Sequence, residues 1–139
     1  MDRDIISFIN RPSVSLLELL LVVTIIGIVA AFAIPGYHRA IEKSRGRHAE
    51  FNLVAIYNAQ KSYKLDNSEY YVCAPGCTKE LILQMLEVDA DDLYFTYSIA
   101  DVGSGFTATA TRVSGEFCSG DTMVVNQDES QPIKGCGVW

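Results

Sequence analysis

The feature that most constrains this chain is an apolar run close to its N-terminus. Residues 14–34 read VSLLELLLVVTIIGIVAAFAI, and Glu18 is the single charged side chain among these 21 residues. At about 1.5 Å of rise per residue, a helix of this length measures about 31 Å, close to the thickness of the hydrocarbon core of a bilayer. We therefore predict a membrane-spanning helix, in which a lone carboxylate is costly and requires a partner.

A secretory signal peptide is the alternative interpretation of this run. Signal peptides have a shorter apolar core, of about 7–15 residues, followed by small residues at the cleavage site. Ala30, Ala31 and Ala33 are small, but Pro35 follows them and the helical pattern continues beyond it. The length of the run favours a helix that is retained.

The segment that follows is predicted to continue the helix. Residues 36–65 contain no proline, and their apolar side chains recur at helical spacing in two adjacent stripes. The first stripe comprises Ala49, Leu53, Ile56, Ala59 or Gln60, and Tyr63, and the second comprises Phe51, Val54 and Ala55. Because one small domain needs only one stripe, we expect the second to pack against other helices. The residues Asp66, Asn67 and Ser68 form the predicted end of the helix.

The second half of the chain predicts a small antiparallel sheet. Thr78 is placed to cap a short amphipathic helix, KELILQMLEV, whose inward residues would be Leu81, Ile82, Met85 and Leu86. Alternating apolar residues predict strands at 94–100, 105–113 and 122–126, turns at 101–104 and 127–130, and a short fourth strand within 133–138. The predicted fold class is α+β, a long N-terminal helix packed against this antiparallel sheet.

Charge and motif content argue against several classes of function. The net charge of -6 and the pI near 4.8 are unlike those of a protein that binds nucleic acid by neutralising phosphates. The charge is also segregated, since residues 36–65 carry six Lys or Arg and two Glu, whereas residues 66–139 carry twelve acids and three bases. No nucleophile, paired-acid or phosphate-loop motif stands out, so we expect no enzyme activity and no cofactor.

Two groups of titratable side chains fit a solvated surface better than a metal site. His38 and His48 lie on a polar, basic helix face with no ligand set around them. Asp89, Asp91 and Asp92 lack the glycine and glutamate spacing of an EF-hand, which predicts a solvated acidic loop. We therefore expect no bound metal.

The spacing of Glu18, Gly27 and Pro35 relative to Val14 forms a recognisable pattern. Counted from Val14 they are the fifth, fourteenth and twenty-second residues, and this spacing resembles the N-terminal segment of the type IV prepilins and the related pseudopilins. Members of that family have a short leader that ends in a small residue, usually Gly, and a mature chain that opens with a hydrophobic residue, usually Phe. Here Ser13 and Val14 stand at these two positions. The resemblance covers residues 12–65 by motif and the rest by architecture alone.

The resemblance implies how the N-terminus is processed and used. A prepilin peptidase would cut between Ser13 and Val14 and methylate the new amine of Val14. That amine is a cation at neutral pH and could pair with Glu18 in the same chain or in a neighbouring subunit, which makes Glu18 the predicted assembly residue. The alternative is a carboxylate that snorkels to the membrane surface. Gly27 and Pro35 mark the predicted site of helix bending or melting, unless they are merely tolerated in a membrane helix.

Four cysteines in a domain outside the cytoplasm predict disulfide bonds. Three pairings are possible. The Pro-Gly dipeptide between Cys73 and Cys77 favours a type II turn that brings these two together, which leaves Cys118 to pair with Cys136. The second bond would resemble the C-terminal disulfide loop of many pilins. A zinc site is the alternative, but Cys118 and Cys136 lack the spacing of zinc-binding cysteines.

The resemblance implies a structural subunit with four segments. These are the leader (1–13), the transmembrane and filament-core helix (14–35), its amphipathic continuation (36–66) and the globular head (67–139). Such a subunit enters the inner membrane, is cut by the prepilin peptidase and, with the pilus assembly machinery, polymerises with its own copies into an extracellular type IV pilus used in adhesion, motility or DNA uptake. The alternatives are a periplasmic pseudopilin of a type II secretion system and a single-pass membrane-anchored periplasmic binding domain. No specific nucleic-acid partner is predicted.

Overall fold

The computed structural model describes residues 14–103, 105–115 and 117–139. Within these residues the elements are α1 (Leu16–Asn67), α2 (Lys79–Leu86), β1 (Phe95–Asp101), β2 (Phe106–Arg112), β3 (Thr122–Asn126) and β4 (Glu129–Lys134). They confirm the predicted α+β class. The chain divides into two compact units, Met1–Tyr37 and His38–Trp139. The predicted leader, with Ser13 at its end, lies outside the described residues.

The first unit contains the apolar part of α1. Its large apolar side chains are exposed to a degree that is unusual for a folded chain, as in Leu16 at 79% and Phe32 at 81%. A proline inside a helix removes the hydrogen bond to the carbonyl four residues earlier, here that of Ala31. The helix nevertheless continues through Gly27 and Pro35 without interruption.

In the second unit, the sheet packs against the C-terminal part of α1. The strands are antiparallel and lie in the order β1-β2-β3-β4, so each strand is hydrogen-bonded to its neighbour in the sequence. Alternation turns one side of the strands towards the helix. The buried side chains of the first three strands are Phe95, Tyr97, Ile99, Phe106, Ala108, Ala110, Met123 and Val125. They form one core with Ala49, Leu53 and Ile56, three members of the first predicted stripe of α1.

The fourth strand lies earlier in the chain than predicted. It begins at Glu129, because the side chain of Asn126 closes a short turn by accepting hydrogen bonds at 3.0 Å from the backbone N–H groups of Asp128 and Glu129. The predicted turn at 127–130 is therefore too long. Gly135 lies beyond the end of the strand, where its N–H donates to the carbonyl of Thr122 at 2.8 Å.

The short helix α2 begins as predicted but buries fewer residues. Thr78 caps it, and its hydroxyl oxygen accepts a hydrogen bond from the backbone N–H of Leu81 at 3.3 Å. Ile82 and Leu86 are buried, whereas Leu81 and Met85 are each 37% exposed, so the prediction that these two face inward is wrong. A helix of two turns presents only a narrow strip to the core, and the pair spaced by four residues fills it.

The second predicted stripe of α1 is not buried within the head. Phe51 is 71% exposed, and Val54 and Ala55 are half-buried. The expectation that this stripe packs against other helices concerns other chains and stays a prediction.

Candidate functional site

The N-terminal part of α1 is an exposed apolar surface that carries the residues singled out in the sequence. Val14 precedes the helix, Glu18 lies in its first turn, and Gly27 and Pro35 follow within it. By length and composition the helix is apolar enough to cross a membrane. An apolar surface of this extent requires either lipid or other apolar helices around it, because water is an unfavourable neighbour.

A buried ion pair joins α1 to the sheet in the second unit. Arg112 donates from Nε to Oε1 of Glu42 at 2.7 Å and from Nη2 to Oε2 at 3.0 Å. Both side chains are almost fully buried, with Glu42 at 2% and Arg112 at 1% exposure. The two parallel hydrogen bonds match a planar guanidinium to a carboxylate. They hold the pKa of Glu42 below its ordinary value, although burial acts in the opposite direction.

Three further groups surround this pair. The third side-chain nitrogen of Arg112, Nη1, donates to the backbone carbonyl of Tyr94 at 3.0 Å. Nη1 of Arg45 and the indole N–H of Trp139 each donate to Glu42 at 3.4 Å. The helix, the sheet and the C-terminal segment therefore meet at one carboxylate.

Sequence reasoning missed this ion pair, although each half carries a signal. Arg112 stands two residues after Ala110 on β2, so alternation places a cation on the buried face of the strand. Glu42 precedes Ala49 by seven residues, which places it on the buried stripe of α1. A buried charge of either sign requires a partner, and these two opposite charges satisfy one another.

A second polar network lies in the same core. One of its members was predicted to be solvated, and that prediction is wrong. The side-chain amide of Asn52 donates to the hydroxyl of Tyr97 at 3.0 Å, and that hydroxyl donates to Oδ2 of Asp92 at 3.1 Å. Nδ1 of His48 lies 3.0 Å from the same oxygen, and the other oxygen of Asp92 accepts from the N–H of Tyr94 at 2.8 Å. The side chain of Asp92 is only 3% exposed, so the prediction of a solvated residue at this position is wrong. Burial raises the pKa of Tyr97 well above its ordinary value, so its phenol is neutral.

The other members of the two predicted solvated groups are exposed. Asp89 and Asp91 lie on the surface, and Asp91 forms an ion pair with Lys79 at 2.8 Å. His38 is exposed on α1. His48 is 58% exposed in its side chain, and its contact with Asp92 is the part of its surroundings that the sequence did not predict.

A buried glutamine attaches the loop after α1 to the helix. Gln60 is fully buried; its Nε2 donates to the carbonyl of Tyr71 at 2.7 Å, and its Oε1 accepts from the N–H of Tyr71 at 2.9 Å. The side-chain amide of Gln60 thus donates to and accepts from the backbone of Tyr71, as the backbone of a neighbouring β-strand would. The sequence stripe included Gln60 as an alternative to Ala59, but gave no partner for it.

The structure contains disulfide bonds between Cys73 and Cys77 and between Cys118 and Cys136. The hydrogen-bonded turn lies one residue earlier than the predicted type II turn, because the carbonyl of Cys73 accepts from the N–H of Gly76, so that prediction is wrong.

One group of described side chains has metal-ligand atoms close together: Cys118, Asp121 and Cys136. Because the two sulfurs are bonded to each other, neither is available as the thiolate that zinc requires.

Known proteins share a substantial part of this sequence. The chain is 45% identical over 56 residues to the type IV major pilin protein PilA of Myxococcus xanthus, a stretch that covers 40% of this chain and 26% of the relative. It is also 45% identical over 61 residues to the type II secretion system core protein G of Vibrio cholerae, with 44% of this chain and 42% of the relative covered. Over these stretches the chain is similar to a type IV major pilin and to a type II secretion core protein. The core protein G of Aeromonas hydrophila is a further relative, at 39% identity over 67 residues, or 48% of this chain and 47% of that protein.

The relationship to pilins and pseudopilins extends over part of each protein. The chain spans less than half the length of the curated relatives it matches here. No protein-family model matches the chain. No solved structure matches it either.

Proposed function

We propose that the chain is a structural subunit that polymerises through its apolar helix into a type IV pilus filament. The single observation that carries the proposal is the placement of Glu18, Gly27 and Pro35 at the fifth, fourteenth and twenty-second positions from Val14, all within an exposed apolar helix. A cut before Val14 supplies an amine that pairs with Glu18 of an adjacent copy. The two charges then set the axial offset between neighbouring helices, because any other offset leaves a carboxylate alone among apolar side chains.

The subunit enters the inner membrane before assembly. There the apolar part of α1 is covered by lipid, and in the filament it is covered by equivalent helices of other copies. A prepilin peptidase removes residues 1–13 and methylates Val14, and an assembly machinery transfers the mature subunit from membrane to filament. The heads then form the outer surface of the filament.

A second candidate function is that of a pseudopilin in a type II secretion system. It is favoured by the relatives named type II secretion system core protein G in Vibrio cholerae and Aeromonas hydrophila. The two functions use the same helix and the same processing. They differ in where the filament ends, which is outside the cell for a pilus and in the periplasm for a pseudopilus.

The test begins with the native host. Intact-mass and N-terminal sequencing of the membrane-bound protein should give a chain that starts at Val14. Electron microscopy and mass spectrometry of filaments sheared from the cell surface should identify this chain as a component. A protein that still begins at Met1, or that starts after Pro35, would overturn the proposal. Processed protein without surface filaments, in cells that fail to secrete a type II substrate when the gene is deleted, would favour the pseudopilin.

A further inference from the structure

One ridge of α1 in the second unit faces away from the sheet and combines positive charge with an aromatic ring. Lys43, Arg47 and Phe51 follow one another at intervals of four residues, which places them side by side along the helix surface. All three are exposed, and Ala49, on the opposite side of the helix, is fully buried against the core. Among the ion pairs of the described residues, none includes Lys43 or Arg47. We call these three residues the outer ridge.

The exposed side of α2 has the complementary character. Leu83 is 50% exposed and lies in a recess of about 150 Å³. The recess is lined by Lys79, Glu80, Leu83, Asp89 and Asp91. Lys79 and Asp91 neutralise one another at 2.8 Å, which leaves two carboxylates, those of Glu80 and Asp89, with no ion-pair partner among the described residues. We call this the α2 recess; it has an apolar floor and a negative rim.

We infer that the outer ridge of one copy docks into the α2 recess of the next copy in the filament. The phenyl ring of Phe51 would cover Leu83, and Lys43 and Arg47 would reach the carboxylates of Glu80 and Asp89. This interface rests on the proposed function and adds to it a contact between heads. The charge segregation of the chain is in keeping with such a contact, because residues 36–65 carry six Lys or Arg and two Glu, whereas residues 66–139 carry twelve acids and three bases.

The outer ridge and the α2 recess are two different surfaces of the same chain, as a contact that repeats along a filament requires. They belong to the same compact unit but to different elements, so the contact joins unlike surfaces. Contacts between unlike surfaces repeat from copy to copy and generate either closed rings or open helical filaments, whereas a contact between like surfaces closes into a dimer. A basic ridge close to a membrane helix could also hold anionic lipid headgroups. The aromatic ring on the ridge and the matching acidic recess on the same chain favour a second copy.

Charge exchange tests the interface in the full-length chain expressed in its host. Arg47→Glu should lower the ratio of filament protein to membrane-bound subunit by about tenfold or more, because like charges then face each other across the contact. Combining Arg47→Glu in turn with Glu80→Arg and with Asp89→Arg should restore assembly in at least one double variant. Lys64→Glu, on the same helix, and Glu129→Arg, on β4, are matched controls that should assemble like the parent. Fluorescence of Trp139 reports whether each head is folded.

Cross-linking provides a readout that does not depend on the variants. A carbodiimide joins an amine to a carboxylate without a spacer, so treated filaments should yield a peptide that links Lys43 to Glu80 or Asp89, and detergent-dispersed subunits should not. Normal assembly of Arg47→Glu, or its failure to be rescued by either acid replacement, would overturn the interface while leaving the proposed function intact. A smaller membrane pool with an unchanged filament ratio would assign the ridge to lipid instead. Absence of filaments from the parent would overturn both proposals.

Discussion

At the residue scale, one buried carboxylate joins three parts of the fold, because side chains from all three donate hydrogen bonds to it. Glu42 accepts hydrogen bonds from Arg112, Arg45 and Trp139, which belong to the sheet, to its own helix and to the C-terminal segment. Taking two charges out of water is expensive, and their attraction offsets that cost only while both are present. Removing one member of the pair therefore destabilises the fold strongly, because the other charge is left buried without its partner.

Removal of the buried cation should destabilise the head strongly. Arg112→Met leaves the carboxylate of Glu42 without its main partner, and we expect the free energy of unfolding to fall by about 3–5 kcal/mol. Lys134→Met removes the partner of Glu50 from a more exposed ion pair of 2.7 Å and should cost less than about 1 kcal/mol. Denaturant unfolding of the detergent-solubilised full chain measures both. Equal losses in the two variants would contradict the special role of the buried pair.

The same carboxylate should make the head sensitive to acid. The folded state holds the pKa of Glu42 below its ordinary value, so the unfolded chain binds the proton more readily and stability rises with pH. The contribution of Glu42 is present above about pH 4.3, the pKa of an unperturbed glutamate, and is lost as the pH falls through the lowered pKa.

Glu42→Gln is the variant that isolates this effect. It should be less stable than the parent at neutral pH, and the difference in free energy of unfolding should shrink as the pH is lowered from neutral to below about 4.3, the pKa of an unperturbed glutamate. A difference that stays constant over this range would show that Glu42 does not titrate in it.

Glu18 makes a prediction about assembly alone. Glu18→Ala and Glu18→Gln should leave membrane insertion, processing and head folding unchanged, because Glu18 lies in the first turn of α1 and both changes make the apolar helix less polar. Filaments should be few or absent, since the acceptor for the amine of Val14 is gone. The measurement is the ratio of surface filament to membrane-bound mature subunit. If both variants assemble at the level of the parent, Glu18 is a snorkelling residue and not an assembly residue.

At the element scale, α1 accommodates the C-terminal segment through a glycine. A Cβ atom added at Gly46 would lie 2.5 Å from Cδ1 and 2.7 Å from Cγ of Trp139, atoms of a rigid ring. Gly46 is buried under this ring, and the indole packs on Phe95 with ring centroids 5.4 Å apart. The absence of a side chain thus lets the last residue of the chain reach the helix and donate to Glu42.

Gly46→Ala should displace the indole. Alanine favours a helix over glycine by about 1 kcal/mol, but here the contact with Trp139 opposes the gain. Because Trp139 is the single tryptophan, its fluorescence emission should shift to the red as the ring moves into water. Gly36→Ala is the matched control on the same helix, where an added Cβ meets nothing within 4 Å. An unshifted emission in Gly46→Ala would mean that the ring adjusts without leaving its site.

At the scale of the whole molecule, the two disulfides close loops of very different length. The Cys118–Cys136 bond spans 18 residues and encloses β3 and β4, whereas the Cys73–Cys77 bond spans four. A cross-link stabilises a protein mainly by restricting the unfolded chain, and the restriction grows with the loop. The bond around the last two strands is therefore expected to contribute more.

Paired serine substitutions compare the two bonds. Cys118→Ser with Cys136→Ser should lower the free energy of unfolding by about 3 kcal/mol, and Cys73→Ser with Cys77→Ser by about 2 kcal/mol, on the chain-entropy relation. Denaturant unfolding of each double variant against the oxidised parent gives the two losses. A larger loss for the Cys73 and Cys77 variant would show that local geometry of the loop, and not its length, decides the contribution.

Local sequence patterns were sufficient to predict the elements whose signals lie within one segment. The apolar run, the helical stripe that contains Ala49, Leu53 and Ile56, and the alternation along β1, β2 and β3 are periodic patterns, and each predicted its element because side chains repeat with the geometry of the backbone. The spacing of Glu18, Gly27 and Pro35 likewise lies within one segment. The similarity to type IV pilins and pseudopilins could therefore be predicted before any contact between elements was known.

The burial of the polar groups, and the partners that they bind, could not be predicted from local patterns. Glu42 and Arg112 are 70 residues apart, and Asn52 and Tyr97 are 45 apart, so no local pattern joins them. The start of β4 depended on how Asn126 accepts two backbone hydrogen bonds, and the exposure of Leu81 and Met85 depended on how narrow a strip of α2 meets the core. A periodic pattern states which side of an element faces inward, but the partner that a buried charge finds is set by where the other elements pack, and that is a property of the assembled fold.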